Sequence, residues 1–176
     1  MRAETGPRRA DRGLAFIRIV TGLWFLKSLV TKFTWAVSAG GLPVPRVAER
    51  WIGFLPTRLQ DYVSGHPPEW YREFLVSHAL PNSKLFAQLT AAGEVAVGLS
   101  LTLGLLTVLG SLGGLWLIAN YFLASWGQGF NQQGFHVLLI ACFLTFIFTR
   151  AGRRWGLDGW LRRRHPRSAL ARLPLG

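Results

Sequence analysis

The sequence predicts an all-α integral membrane protein, a four-helix bundle with amphipathic helices in its long first outer loop. Three observations predict it. Half of the 176 residues are apolar and only 16% are charged, where a soluble domain carries about a quarter. Mean hydropathy is +0.27. The charges are also unevenly placed: of 20 Lys and Arg residues, Arg2, Arg8, Arg9 and Arg12 precede residue 14, and eight lie from Arg150 onward. Between these tails run Leu85–Leu109, Gly110–Trp126 and Gly134–Thr149, almost free of charge, and Leu14–Ala36, broken by Arg18, Lys27 and Lys32.

A span needs about 20 mainly apolar residues. Leu85–Leu109 and Gly110–Trp126 reach or approach that length, while Gly134–Thr149 is short and must be completed from Trp126–Gly134 or from beyond Arg150. Val37-Ser38-Ala39 loosely resembles a signal-cleavage site. A secretory apolar region is an uninterrupted run, however, and Arg18, Lys27 and Lys32 interrupt this one, so the first helix is expected to stay in the mature protein. Four spans put both ends on one side. Both tails, residues 1–13 and 162–176, are basic, so the positive-inside bias places them in the cytoplasm of a multi-pass cell-membrane protein. The membrane domain then covers residues 14–161, with the outer loop at 37–84. Most of the formal charge of +12 is thereby topology, and no nucleic-acid module accounts for it.

The outer loop is too long to be plain coil. Val47, Trp51, Phe54, Leu55, Leu59 and Tyr62 recur at spacings of three and four, and Pro67-Pro68 opens a second segment with Trp70, Tyr71, Phe74 and Leu75. These read as short amphipathic helices on the outer surface, either an interfacial cap or a lid over a substrate. Within the spans, Ala92, Ala96, Ser100 and Gly104, then Gly110 and Gly114, form small-residue stripes of the kind that let membrane helices approach.

Much redox chemistry is excluded. Cys142 is the only cysteine, which leaves no CxxC pair and no thiolate-held iron–sulfur cluster. His66 and His78 fall in the outer loop and His165 in the tail, leaving His136 alone near a span, so two helix histidines cannot hold a haem. No metal site is evident. Any redox cofactor must be diffusible, bound without covalent ligation, or carried by a partner.

Ionisable residues inside spans cost at least ~2.5–3.5 kcal/mol each unless paired or hydrated, which singles out Arg18, Lys27, Lys32 and Glu94. With a 1.5 Å rise per residue, Lys27 and Glu94 each lie about 13 Å below the outer surface and can pair. Lys32 and Asn120 fall roughly 6–9 Å from that surface, with His136 at its edge. Lys32 either reaches Glu94 through its flexible stem or snorkels outward. Glu94 is either a structural ion pair or a handler of protons or substrate. Arg18, near the cytoplasmic end, either snorkels or pairs with Asp158.

Several segments resemble the DoxX/DoxD membrane proteins: Leu80-Pro81-Asn82, Leu85-Phe86-Ala87-Gln88-Leu89, the Gly93-to-Leu101 run containing Glu94, Gly104-Leu105-Leu106-Thr107, Asn120-Tyr121-Phe122-Leu123-Ala124, and Gly152 through Asp158. Arg18, Gly22, Phe25 and Lys32 follow the family's first-helix pattern. Val108 departs from it, where the family often has a basic residue. The similarity covers about Leu14 to Leu161. It implies a four-helix membrane bundle and, for the branch with a long outer loop, the membrane subunit of a thiosulfate:quinone oxidoreductase. The expected activity is that of a quinone-linked oxidoreductase subunit with a sulfur donor. Glu94 and Lys27 would be its catalytic groups, and Lys32, Asn120, Tyr121 and His136 its substrate or quinone contacts. Arg18 and Asp158 would form a structural pair. Expected partners are the lipid bilayer, a second oxidoreductase subunit and a second copy of the chain. The alternative is a non-catalytic membrane anchor or assembly subunit; solute transport is disfavoured because no inverted repeat is evident.

Overall fold

The structure, a computed structural model, describes residues 6–37 and 40–164, with side chains from residue 10 onward. Residues 1–5, Ser38 and Ala39 of the cleavage-like triplet, His165 and the remainder of the C-terminal tail lie outside the described residues.

Four helices are long and apolar enough to cross a membrane: Ala10–Thr31, Ser83–Leu103, Thr107–Ala124 and Phe130–Thr149. The protein is therefore an all-α membrane protein, as its composition predicts. The first span comprises α1 (Gly6–Leu26) and the single turn α2 (Ser28–Thr31), separated by a break at Lys27. The helix expected to run to Ala36 stops at Lys32. Phe33–Val37 (β1) pairs antiparallel with Pro43–Val47 (β2), Phe33 opposite Val47 and Trp35 opposite Pro45. Aromatic and β-branched side chains in Phe33-Thr34-Trp35-Ala36-Val37 favour a pleated strand. Helix propensity and hydropathy alone do not show this, because the same residues also suit a membrane. Ala48 N–H donates to the Lys32 carbonyl at 2.9 Å, so alternate residues 44 and 46 face β1. Pro43 and Pro45 therefore face the outer edge, where a missing N–H costs nothing and discourages further strand pairing.

The outer loop continues as α3 (Glu49–Ser64), then α4 (Glu69–Phe74) and a π-helical turn at Leu75–Ala79. The second span, α5 (Ser83–Leu103), ends earlier than the expected Leu109, because Gly104 takes φ +64° and turns the chain. The third is α6 (Thr107–Ala124), and the fourth is α7 (Phe130–Thr149), completed on its N-terminal side by Phe130–Gln133. A 3-10 turn at Ala151–Arg153 and the short α8 (Leu157–Arg164) close the described chain.

The chain divides into two compact units. One comprises residues 27–95 and 117–138. Its core is Leu55, Leu59, Tyr71, Leu75, Ala79, Ala87 and Ala124, so the helices of the outer loop pack directly on the spans. The other comprises residues up to 26, 96–116 and from 139. Here Phe143, fully buried, meets Phe25 edge-on at 5.6 Å between centroids. The small-residue prediction is corrected in part. Ala92 and Ala96 are exposed, whereas Ser100 and Gly110 of the predicted stripes do meet and Gly114 packs against the Phe143 ring; further close approaches are made at Gly22 against Thr102 and Gly98 against Leu26. A four-residue spacing alone does not say which side of a helix meets protein and which meets lipid.

Candidate functional site

The unit containing residues 27–95 and 117–138 holds a buried polar cluster. The Lys32 ammonium donates to Glu94 Oε1 at 2.7 Å, each side chain 13% exposed. Tyr121 Oη–H donates to the same oxygen at 2.9 Å. Trp51 covers the ammonium, its ring centroid 4.1 Å from Nζ, and its indole N–H donates to the Ala87 carbonyl at 3.0 Å.

Each side chain is positioned by a different element. Lys32 stands at the junction of α2 and β1, held by the Ala48 N–H on its carbonyl. Glu94 and Tyr121 come from the facing lengths of α5 and α6, and Trp51 from the first turn of α3. A carboxylate within an apolar span is costly unless it is paired, and one oxygen of Glu94 accepts from both an ammonium and a phenol. Burial lowers the pKa of Lys32, the Glu94 carboxylate opposes that shift, and the Lys27 charge adds to it.

Of the sequence-predicted site residues, Lys32, Glu94 and Tyr121 come together. Lys27, expected beside Glu94, sits at the exposed break between α1 and α2. A rise of 1.5 Å per residue cannot show this, because it holds only for an unbroken helix, which puts Lys27 and Lys32 at fixed depths and angles. Asn120 lies next to the cluster: the Tyr71 hydroxyl reaches its carbonyl at 3.1 Å and its Oδ1 at 3.2 Å. Burial pushes the Tyr71 phenol up to about 12, with the Tyr62 phenol adding to the shift.

His136 is buried and ties α7 to α6. Ser125 Oγ donates its one hydrogen to the Tyr121 carbonyl at 2.7 Å, so at 3.3 Å from His136 Nδ1 it accepts from the ring. Nε2 then accepts from the Gln132 amide at 3.2 Å. The accounting leaves a neutral Nδ1–H imidazole with both nitrogens used. Trp51 and Tyr71 were missed as site residues because an aromatic residue in an amphipathic loop helix has the same pattern whether it caps the interface or covers a site.

Arg18 and Asp158 belong to the other unit. Arg18 is fully buried and its Nη2 donates to the Trp155 carbonyl at 3.0 Å, while Nε and Nη1 have no hydrogen-bond partner. The Asp158 carboxylate instead accepts the Leu106 N–H at 2.7 Å and the Thr107 N–H at 2.9 Å, capping the start of α6. Each of the two side chains is thus held by backbone groups, Arg18 by one carbonyl and Asp158 by two amides. The guanidinium packs against Gly104, where a Cβ would collide with it. No group of three or more His, Cys, Asp or Glu residues able to hold a metal ion occurs among the described residues.

A family model described as "TQO small subunit DoxD" matches residues 14–173. No solved structure matches the chain.

Proposed function

The chain belongs to the DoxD family, and on that premise we propose that it is a quinone-linked redox subunit in which Glu94 carries protons for a quinone reduced at the expense of a sulfur donor. The observation that supports this most is the single carboxylate oxygen shared by an ammonium and a phenol, Lys32 at 2.7 Å and Tyr121 at 2.9 Å. Reduction of a quinone to a quinol consumes two electrons and two protons, and a buried carboxylate between two proton-bearing groups is suited to hold one of those protons. Lys32 has three hydrogens and spends one on Glu94, so it can also attract a thiosulfate-like anion or donate to a quinone carbonyl. Tyr121 is less suited to donate to the quinone, because its hydrogen already points at Glu94. Asn120 and His136 support the surrounding helices in this reading, and Lys27 adds positive charge near Lys32.

The family description names a small subunit, which supports a larger partner that supplies the electron path. A second copy of the chain is the other partner proposed. The basic ends support a cell-membrane topology with both termini in the cytoplasm.

A non-catalytic anchor or assembly subunit is the competing reading. It is favoured by one observation: Lys32 and Tyr121 are already bonded to Glu94 inside the protein, with the Trp51 ring over the ammonium. Quinone-analogue binding to the purified chain, and thiosulfate-dependent quinone reduction by its native complex, separate the two. The proposal expects binding, and loss of turnover per folded molecule in Glu94→Gln. Full turnover in that variant removes Glu94 from the mechanism, and absence of quinone binding together with an intact complex establishes the anchor reading.

A further inference from the structure

A cavity of about 770 Å³ opens where α5 ends, lined by Leu103, Arg153, Arg154, Trp155, Trp160 and Arg163 among others. It lies wholly within one compact unit and shares no residue with the Glu94 cluster. Three features set its chemistry.

The first is charge. Three guanidinium groups surround it, and no residue lining it is acidic. The nearest acid, Asp158, has both oxygens committed to the N–H groups of Leu106 and Thr107. The pKa of Arg153 is lowered, first by partial burial and then by the positive charges of Arg162 and Arg150, with Asp158 opposing. The second is an unmet donor: Arg154 Nε is buried and has no hydrogen-bond partner, and buried donors in native proteins ordinarily find an acceptor. The third is position. Leu103 is the last residue of a membrane-length helix, and it, Trp155 and Trp160 are each about half exposed. Tryptophan at the end of a span marks the level of lipid headgroups.

We propose that this cavity binds the phosphate of an anionic phospholipid, with Arg153, Arg154 and Arg163 on the headgroup and Leu103, Trp155 and Trp160 against the first carbons of the acyl chains. The ligand chemistry is a phosphate anion. The exposed apolar rim is what favours a lipid over a free ion, since a free ion gains nothing from it. Basic pockets at the ends of transmembrane helices take anionic headgroups by the same combination of charge and interfacial depth.

The test uses the full chain purified in a nonionic detergent. Three probes are titrated: a short-chain phosphatidylglycerol, the matching phosphatidylcholine, and inorganic phosphate, with binding read by native mass spectrometry and by the shift in Tm. The expected result is at least a roughly tenfold preference for phosphatidylglycerol over phosphatidylcholine, with each neutralised arginine lowering that preference roughly fivefold. Arg163→Gln lies on an exposed helix end and serves if the Arg153→Gln/Arg154→Gln/Arg163→Gln variant does not fold. Arg162→Gln, next to the cavity but not lining it, is expected to retain most of the preference. Equal affinity for the two lipids overturns the proposal, as does an undiminished preference in Arg163→Gln and the triple variant, or an equal loss in Arg162→Gln. Displacement of phosphatidylglycerol by equimolar inorganic phosphate would reassign the site to the free ion and overturn the lipid source.

Discussion

Replacing Lys32 by Met keeps the aliphatic stem and removes the charge, leaving Glu94 inside the protein with the Tyr121 phenol as its remaining donor. At 2.7 Å and an effective dielectric of about 20, the two unit charges attract by about 6 kcal/mol. Desolvation of both offsets much of that, but breaking one half of a buried pair still costs about 3–5 kcal/mol, because the other charge stays behind. Both side chains are only 13% exposed, so little of this is screened. For a chain of this size each kcal/mol moves Tm by roughly 2–4 °C, and the expected fall in Lys32→Met is therefore roughly 6–20 °C. Glu94→Gln should fall comparably, since it strands the ammonium. The double variant has no stranded charge and should lose less than the sum of the two. Thermal unfolding of the four proteins in detergent, followed by helical circular dichroism, gives the coupling. Additivity within about 0.5 kcal/mol would refute the claim that Lys32 and Glu94 hold one another.

The remaining predictions concern neighbouring groups. Trp51→Phe loses the indole bond to the Ala87 carbonyl and weakens the ring's hold on Lys32; a cost of about 1–2 kcal/mol should shrink in the Lys32→Met background. Tyr71 has its phenol raised from 10.0 to about 12 in the folded protein. The folded state thus favours the protonated form, and the resulting stability is complete below pH 10 and lost as pH rises toward 12. The loss is up to about 3 kcal/mol, and Tyr71→Phe should flatten the alkaline limb of a Tm-against-pH curve. Asp158→Asn turns a doubly accepting carboxylate into a group with one accepting oxygen, leaving the Leu106 or Thr107 N–H unpaired at about 1–3 kcal/mol. Faster hydrogen exchange at those two amides is the measurement.

The spans were legible because a hydrocarbon core imposes length and composition on whole segments, and no local detail can override that. Glu94 stood out for the same reason: a lone carboxylate in an apolar run has few structural explanations. Its partner was less legible. Lys27 and Lys32 are both lysines near the outer end of the first span, and which one reaches Glu94 depends on the helix break at Lys27 and the strand that begins at Phe33. Aromatic, β-branched residues at a membrane boundary satisfy both a helix in lipid and a hairpin at its edge, so hydropathy cannot separate them. Trp51 was hidden by distance in sequence. Its helical spacing showed an apolar face but not that the face would fold back over a buried ammonium.

The two fully or largely buried cations illustrate different uses of charge. Arg18 is always protonated, donates to the Trp155 carbonyl and fills the space over Gly104, while Asp158 is fixed by two backbone donors. The hydrogen-bond partners of both groups among the described residues are backbone atoms. Their arrangement holds the Gly104 turn, where Leu106 keeps φ +50°, so substitutions at Arg18 or Asp158 should lower Tm and turnover together. The Lys32, Glu94 and Tyr121 cluster consists of an amine, a carboxylate and a phenol, each able to gain or lose a proton. On the proton-carrying reading, a substitution there changes the rate without a matching change in the amount of folded protein. Glu94→Asp retains the charge but retracts the oxygen from Lys32 and Tyr121. On the proton-carrying reading it should restore Tm more than turnover, whereas a purely structural ion pair requires the two to recover in step.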